Sequence, residues 1–174
     1  CVATGPAVSQ QLDPQTGATV RQMRTPLVFY RDNNARAAYA RDFAYVAPVA
    51  VNQMGEDNYF LWLGIWSSLE NSIASEQRDG FESIVVFADG EPMRLDLEGW
   101  TLSTIGVSEP VYNKPTATAA DAYYAVTLDQ IRLIAQSTDL RLRAGTDRSV
   151  TYEPWDSQKT AMSELREFVR RENF

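Results

Sequence analysis

Histidine is absent from the chain. Without an imidazole there is no Ser-His-Asp or Cys-His nucleophile pair, no histidine general base and no histidine-containing zinc site. Cysteine occurs once, at position 1, so the chain can close no internal disulfide and build no thiolate cluster. Lysine is scarce: Lys114 and Lys159 are the only two, and neither completes the S-x-x-K pattern of serine-lysine hydrolases. Long apolar runs are missing as well. The longest, from Phe43 to Val51 and from Tyr59 to Trp66, fall far short of the roughly 20 residues a spanning helix needs. G-x-S-x-G, G-x-G-x-x-G and G-x-x-x-x-G-K-[ST] do not occur, so nucleophile-elbow and phosphate-cradling enzymes have no motif support.

What is present is enough for one well-packed domain: 174 residues, 44% of them hydrophobic, with a net charge of −7. That charge argues against nucleic acid or an anionic lipid surface as the main partner. Strand periodicity dominates. Ala18 to Met23 and Leu27 to Arg31 flank Pro26 and predict edge strands. Tyr39 to Val51 and Tyr59 to Trp66 alternate on either side of the polar NQMGEDN turn, predicting a long antiparallel hairpin. Asp89-Gly90 between Ser83–Ala88 and Met93–Leu97 is a type I′ hairpin signal. Trp100 to Val107 and Tyr123 to Val126 add further strand expectations, and Leu140–Arg143 with Val150–Tyr152 a last hairpin. Glu70 to Asp79 is polar and reads as a loop or short helical turn. Helical spacing appears late. Thr127 and Gln130 form a capping box before a stripe of Leu128, Ile131, Ile134 and Ala135. Asp156 is expected to cap a final helix with Ala161, Met162, Leu165, Phe168 and Val169 on one side. The expected fold is therefore α+β: mainly antiparallel hairpins with two amphipathic helices near the C-terminus, as a single domain over residues 18–174.

Before that domain, CVATGPAVSQQLDPQTGA is small and polar, without apolar periodicity, and reads as a flexible tether over residues 1–17. A chain that opens on cysteine and continues in this way resembles a mature bacterial lipoprotein. The resemblance implies a diacylglycerol on Cys1, a membrane anchored through that lipid and a domain facing the periplasm. Val2, in place of aspartate, leans toward the outer rather than the inner membrane. A domain boundary that happens to fall at Cys1 is the other reading of the same residues.

The acid-base material is limited to carboxylates and tyrosines. Asp89, Glu91, Asp96 and Glu98 crowd one hairpin, where turn formation and exposed charge pairing explain them better than catalysis or calcium. No metal ligand set and no cofactor is expected. The aromatic content is more suggestive. Phe60, Trp62 and Trp66 share one face of their strand while Tyr59, Leu61, Leu63 and Ile65 share the other, so both faces require cover. Trp100, Tyr112, Tyr123 and Tyr124 form a second aromatic group. These seven aromatic residues, Phe60 through Tyr124, make up the candidate binding surface, for an envelope protein or a small apolar ligand, unless Met162, Leu165 and Phe168 cover the strand's rings internally. The functional expectation is an envelope binding or structural module. A carboxylate- and tyrosine-based hydrolase or lyase and a small-molecule carrier stand as alternatives.

Overall fold

The computed structural model describes residues 5–35, 37–69, 80–145 and 150–173. Ten strands run β1 (Val8–Leu12), β2 (Thr19–Met23), β3 (Leu27–Asp32), β4 (Arg41–Gln53), β5 (Glu56–Ser67), β6 (Ser83–Ala88), β7 (Glu91–Gly99), β8 (Ala120–Val126), β9 (Leu140–Ala144) and β10 (Val150–Pro154). Two helices, α1 (Leu128–Gln136) and α2 (Lys159–Glu172), complete the fold. All pairings are antiparallel. The expectation of separate hairpins understates the result. Strands β4, β3, β10, β9, β6, β7, β8 and β5 pair in that order, and β5 returns to β4, so eight strands close a barrel. Closure removes the exposed edges that an open sheet of this size would leave.

The three expected hairpins are realised, β4 with β5, β6 with β7 and β9 with β10. Asp89 and Gly90 have φ of 51° and 85°, the positive angles a type I′ turn requires. Pro92 does not end the pairing there, since it sits within β7 opposite Phe87. The capping box at the start of α1 is complete: Thr127 accepts from the Gln130 amide at 3.1 Å, and the Gln130 side chain accepts from the Thr127 amide at 2.9 Å. Four expectations are corrected. The strands around Pro26 are not edges: β2 lies between β1 and β4, and β3 between β4 and β10. Residues 8–12 are not a tether but strand β1, paired along its length with β2. Trp100 to Val107 is not a strand: Leu102–Ile105 form a 3₁₀ turn that ends on Gly106 at φ 77°. Asp156 does not cap α2, which begins after Gln158 at φ 52°, while Asp156 Oδ1 accepts the Gln158 amide at 2.8 Å. The expectations for residues 70–79 and for the tip of the β9–β10 turn lie outside the described residues.

Strand β4 organises the sheet. Along one edge it pairs throughout with β5. Along the other it serves two partners in turn, β2 opposite Val49–Asn52 and β3 opposite Arg41–Val46. The change of partner falls at Ala47 and Pro48, and Pro48 has no N–H to offer a ladder. The buried Tyr112 hydroxyl fills the gap. It accepts the Met23 amide at 3.1 Å and donates to the Pro48 carbonyl at 2.5 Å, and burial pushes its pKa well above the ordinary phenol range.

The barrel interior is apolar. Ala44, Val46, Leu61, Leu63, Ile84, Val86 and Leu142 are all buried, and register places them on one side of their strands. Helix α2 packs against α1, β1 and β2. Its carboxylates tie it down. Glu172 takes Arg21 in a two-pronged pair at 2.5 and 2.7 Å and the Tyr59 hydroxyl at 3.1 Å. Glu164, buried, accepts the Thr25 amide at 2.6 Å and Arg24 Nη2 at 2.7 Å. Arg21, Ala50 and Tyr59 lie side by side across three strands, which sets α2 on the same side of the sheet as Leu61 and Leu63.

Two measurements check this packing. Phe168 is fully buried, so Phe168→Ala lowers stability by about 3–5 kcal/mol in denaturant unfolding; a change under about 1 kcal/mol contradicts the docking of α2. Tyr112→Phe leaves a buried amide and a buried carbonyl without their partner, at roughly 1–3 kcal/mol for each. A neutral Tyr112→Phe removes the hydroxyl from its assigned role.

Candidate binding surface

The outer face of the β2–β4–β5–β8 region divides into two halves. The half containing Val49, Trp62 and Tyr123 is covered by the long connection between β7 and β8, residues 100–119. Tyr112 of that connection stacks on Trp62 at 4.8 Å between ring centroids, and Gln53 reaches the Gly106 carbonyl at 3.0 Å. Trp62 Nε1 donates to Asp121 Oδ1 at 3.0 Å. Gly64 is required beside it, because a Cβ at that position would lie 2.7 Å from the Trp62 ring. Asp13 pins the connection from the other end, accepting the Ser108 amide at 2.6 Å and the Ser108 hydroxyl at 2.7 Å. Burial raises the Asp13 carboxyl, but bonds from Ser108, Thr16 and Gln15 outweigh it and hold the group well below the usual carboxylate range.

Of the seven aromatic residues singled out from the sequence, Trp62, Tyr112, Tyr123 and Tyr124 are buried. The first three lie beneath residues 100–119 or beside the rings packed there. Tyr124 faces the barrel interior, donating to the Phe81 carbonyl at 2.6 Å. Phe60 and Trp100 are half-buried against the same core. Trp66 alone belongs to the other half of the outer face. Cys1 lies outside the described residues.

That second half carries the aromatic surface that sequence reasoning missed. Register aligns Tyr30, Phe43 and Trp66 in one row across β3, β4 and β5, with Val28, Tyr45 and Gly64 in the next. Trp155, just after β10, joins them through its amide, which donates to the Val28 carbonyl at 2.9 Å. Phe43 stacks on Trp66 at 4.4 Å, Tyr30 meets Trp155 edge-on at 5.0 Å, and Arg41 lies over the Trp155 ring at 5.1 Å. Trp155 is 44% exposed, and the Trp66 indole N–H is buried without a hydrogen-bond partner. Where the two halves meet, Pro115 and the Trp62 ring lie over Gly64. The signal was available: Tyr30, Phe43 and Tyr45 alternate along their strands as outward residues, but only the pairing of β3 with β4 shows that they face the same way as Trp66.

The remaining polar groups do not assemble into reactive chemistry. Asp89 is taken up by the turn between α1 and β9, accepting the Thr138 and Asp139 amides at 2.9 and 2.8 Å, and those bonds lower its pKa. Glu91, Asp96 and Glu98 are exposed. Near the far end of the barrel Arg31 pairs with Asp42 at 2.7 Å, beneath which burial pushes Tyr152 up to about 12; an opposite charge beside each ion is what burial demands. A groove of about 460 Å³ beside the start of α2 includes Asp156, Lys159 and Arg166, and one of about 700 Å³ beside α1 includes Asp89, Glu91 and Leu133. Only the second is lined by two carboxylates, Asp89 and Glu91, and Asp89 is already engaged by the Thr138 and Asp139 amides. Among the described residues no cluster of three or more potential metal-ligating side chains occurs, and no helix is long and apolar enough to cross a membrane. No protein-family model, curated protein or solved structure matches this chain.

The Asp13 geometry carries a pH signature. A carboxyl whose pKa is lowered on folding stabilises above its unfolded value near 4, and that stabilisation is lost as pH falls through the folded value. Asp13→Asn is therefore expected to lower the urea midpoint fully above about pH 5 and progressively less below about pH 4. A midpoint difference that does not shrink on acidification contradicts the role of the charged form.

Proposed function

We propose that this protein is a lipid-anchored component of the bacterial cell envelope, held through Cys1, whose barrel acts at its surface as a binding or structural module. The observation that carries the binding part is the aromatic half of the outer face, where Tyr30, Phe43, Tyr45 and Trp66 are partly exposed and Trp155 is exposed among the described residues. Partly exposed rings gathered on rigid strands mark interaction surfaces, because aromatic side chains bury large areas at little entropic cost. The anchoring part rests on Cys1 and the small polar residues after it. Periplasm-facing, outer-membrane placement follows from the same residues, with Val2 arguing for the outer membrane.

The other readings have less behind them. A carrier would need a ligand chamber, whereas the centre of this barrel is occupied by Leu61, Leu63, Ile84 and Leu142. A hydrolase built on tyrosines and carboxylates would need them free, whereas Tyr112, Tyr124, Asp13 and Asp89 are each engaged in hydrogen bonds that hold the fold together.

Mass spectrometry of the N-terminal peptide, from protein isolated out of its own bacterium, tests the anchoring. The expected result is a diacylglycerol thioether on Cys1, with Cys1→Ser moving the protein from the membrane to the soluble periplasmic fraction. A free Cys1 thiol on the native protein overturns the proposal.

A further inference from the structure

Among the described strands, β1 alone has a neighbour on one side only. The register shows which of its backbone groups face the open side. Arg24 donates its amide to the Ala7 carbonyl at 3.0 Å, and Asp13 donates its amide to the Ala18 carbonyl at 2.8 Å. Residues 7, 9, 11 and 13 therefore turn toward β2, and Val8, Gln10 and Leu12, which alternate with them, turn their amides and carbonyls outward. Of these outward groups only the Val8 carbonyl has a described partner, Arg171 Nη1 at 3.3 Å. Edge strands are ordinarily guarded by a charged side chain, an internal proline or a bulge. The stretch Val8–Leu12, VSQQL, has neither charge nor proline and pairs with β2 without a bulge.

The two ends of this edge differ in charge. Beside Val8 lie Arg171 and Arg170, which share the single carboxylate of Glu167. Past Leu12 lie the Asp13 carboxylate and Glu109, whose amide donates to Asp13 Oδ2 at 3.4 Å. We infer that β1 pairs antiparallel with β1 of a second copy of this chain, about a two-fold axis at Gln10. Each Gln10 amide then donates to the Gln10 carbonyl of the other copy, and each Val8 amide to the other copy's Leu12 carbonyl. Those four bonds use groups that have no other described partner. The antiparallel sense brings the arginine end of each edge to the carboxylate end of the other, whereas a parallel pair would set like charges together. It also covers Leu12, which is 68% exposed. Leu12 of each copy stands across from Val8 of the other, and Val8, opposite Met23 and two positions from Arg21, lies on the face that α2 covers. An interface one strand wide is smaller than a standard protein–protein contact, so reversible association in the micromolar range is expected. The inference goes beyond the proposed function and holds whether or not Cys1 carries lipid.

Sedimentation equilibrium of the full-length chain, kept reduced, tests it. The expected result is a reversible monomer–dimer equilibrium. Gln10→Pro removes an amide that faces away from β2, so the β1–β2 bonds remain while the dimer loses two bonds, one from each copy. Its dissociation constant should rise about tenfold or more, with unchanged circular dichroism. If that variant does not fold, single cysteines in the Cys1→Ser background decide. Gln10→Cys, on the axis where paired Cα atoms lie about 5.5 Å apart, should oxidise to a disulfide-linked dimer. Gln11→Cys, on the opposite face and off the axis, should not. A monomer at every concentration up to the millimolar range overturns the inference, as does a dimer indifferent to Gln10→Pro or cross-linking of Gln11→Cys equal to that of Gln10→Cys. A dimer that Tyr45→Ser dissociates and Gln10→Pro does not also overturns it, because the aromatic face is then the contact.

Discussion

The architecture depends on one strand having to satisfy two neighbours along a single edge. Strand β4 is long enough to pair with β2 over its second half and with β3 over its first, and a backbone edge shared in this way has a seam where neither partner is in register. Buried backbone groups at a seam are costly unless something bonds them. Pro48 removes one of the donors, and the Tyr112 hydroxyl supplies the missing partner to the two groups that remain. The residues that carry Tyr112 belong to the β7–β8 connection, so the segment that seals the seam also roofs one half of the outer face. The covering of that half is a consequence of the seam.

Helix α2 ties together the strands on either side of β4. The Arg21–Glu172–Tyr59 group joins β2, β5 and α2, and Glu164 clamps the turn that separates β2 from β3. Both carboxylates face their partners over short distances and in largely buried positions, where leaving one ion unpaired is strongly destabilising. Their effect is to fix where β2 stops and β3 begins, the same boundary that Tyr112 bridges. Two elements, the β7–β8 connection through Tyr112 and helix α2 through Glu164, therefore converge on residues 23–25.

What could be read from the sequence was local. The Asp89-Gly90 turn, the Thr127–Gln130 capping box and the β4–β5 hairpin each combine a short pattern with an unambiguous backbone requirement, and each appears as expected. Closure of the barrel was not legible, because the pairings of β3 with β10, β6 with β9 and β5 with β8 join segments far apart in the chain and leave no local signature. Strand β1 was missed because an outer strand with solvent on one side needs few apolar residues: Val8 is buried while Gln10 to Leu12 are exposed. Trp100 to Val107 carried an alternating pattern that the left-handed Gly106 and the packing of Ile105 and Val107 against the core resolve into a turn. The aromatic surface was half legible. Trp66 was singled out on its strand, but its neighbours Phe43 and Tyr30 became neighbours only through register, and Trp62 and Tyr123, equally aromatic, are buried beneath the β7–β8 connection.

Strand β1 has a mechanical meaning. It is the outermost strand, paired on one side only with β2 and contributing nothing to the closed ring. A pull applied to the chain at Gly5 is transmitted first to the Gly5–Arg24 bond and to the five residue pairs between β1 and β2. These can separate in sequence from Val8 onward while every strand of the barrel keeps both of its neighbours. The fold thus places a short, detachable ladder between the chain before Val8 and the barrel, so that a load applied at Gly5 opens that ladder before it strains the barrel.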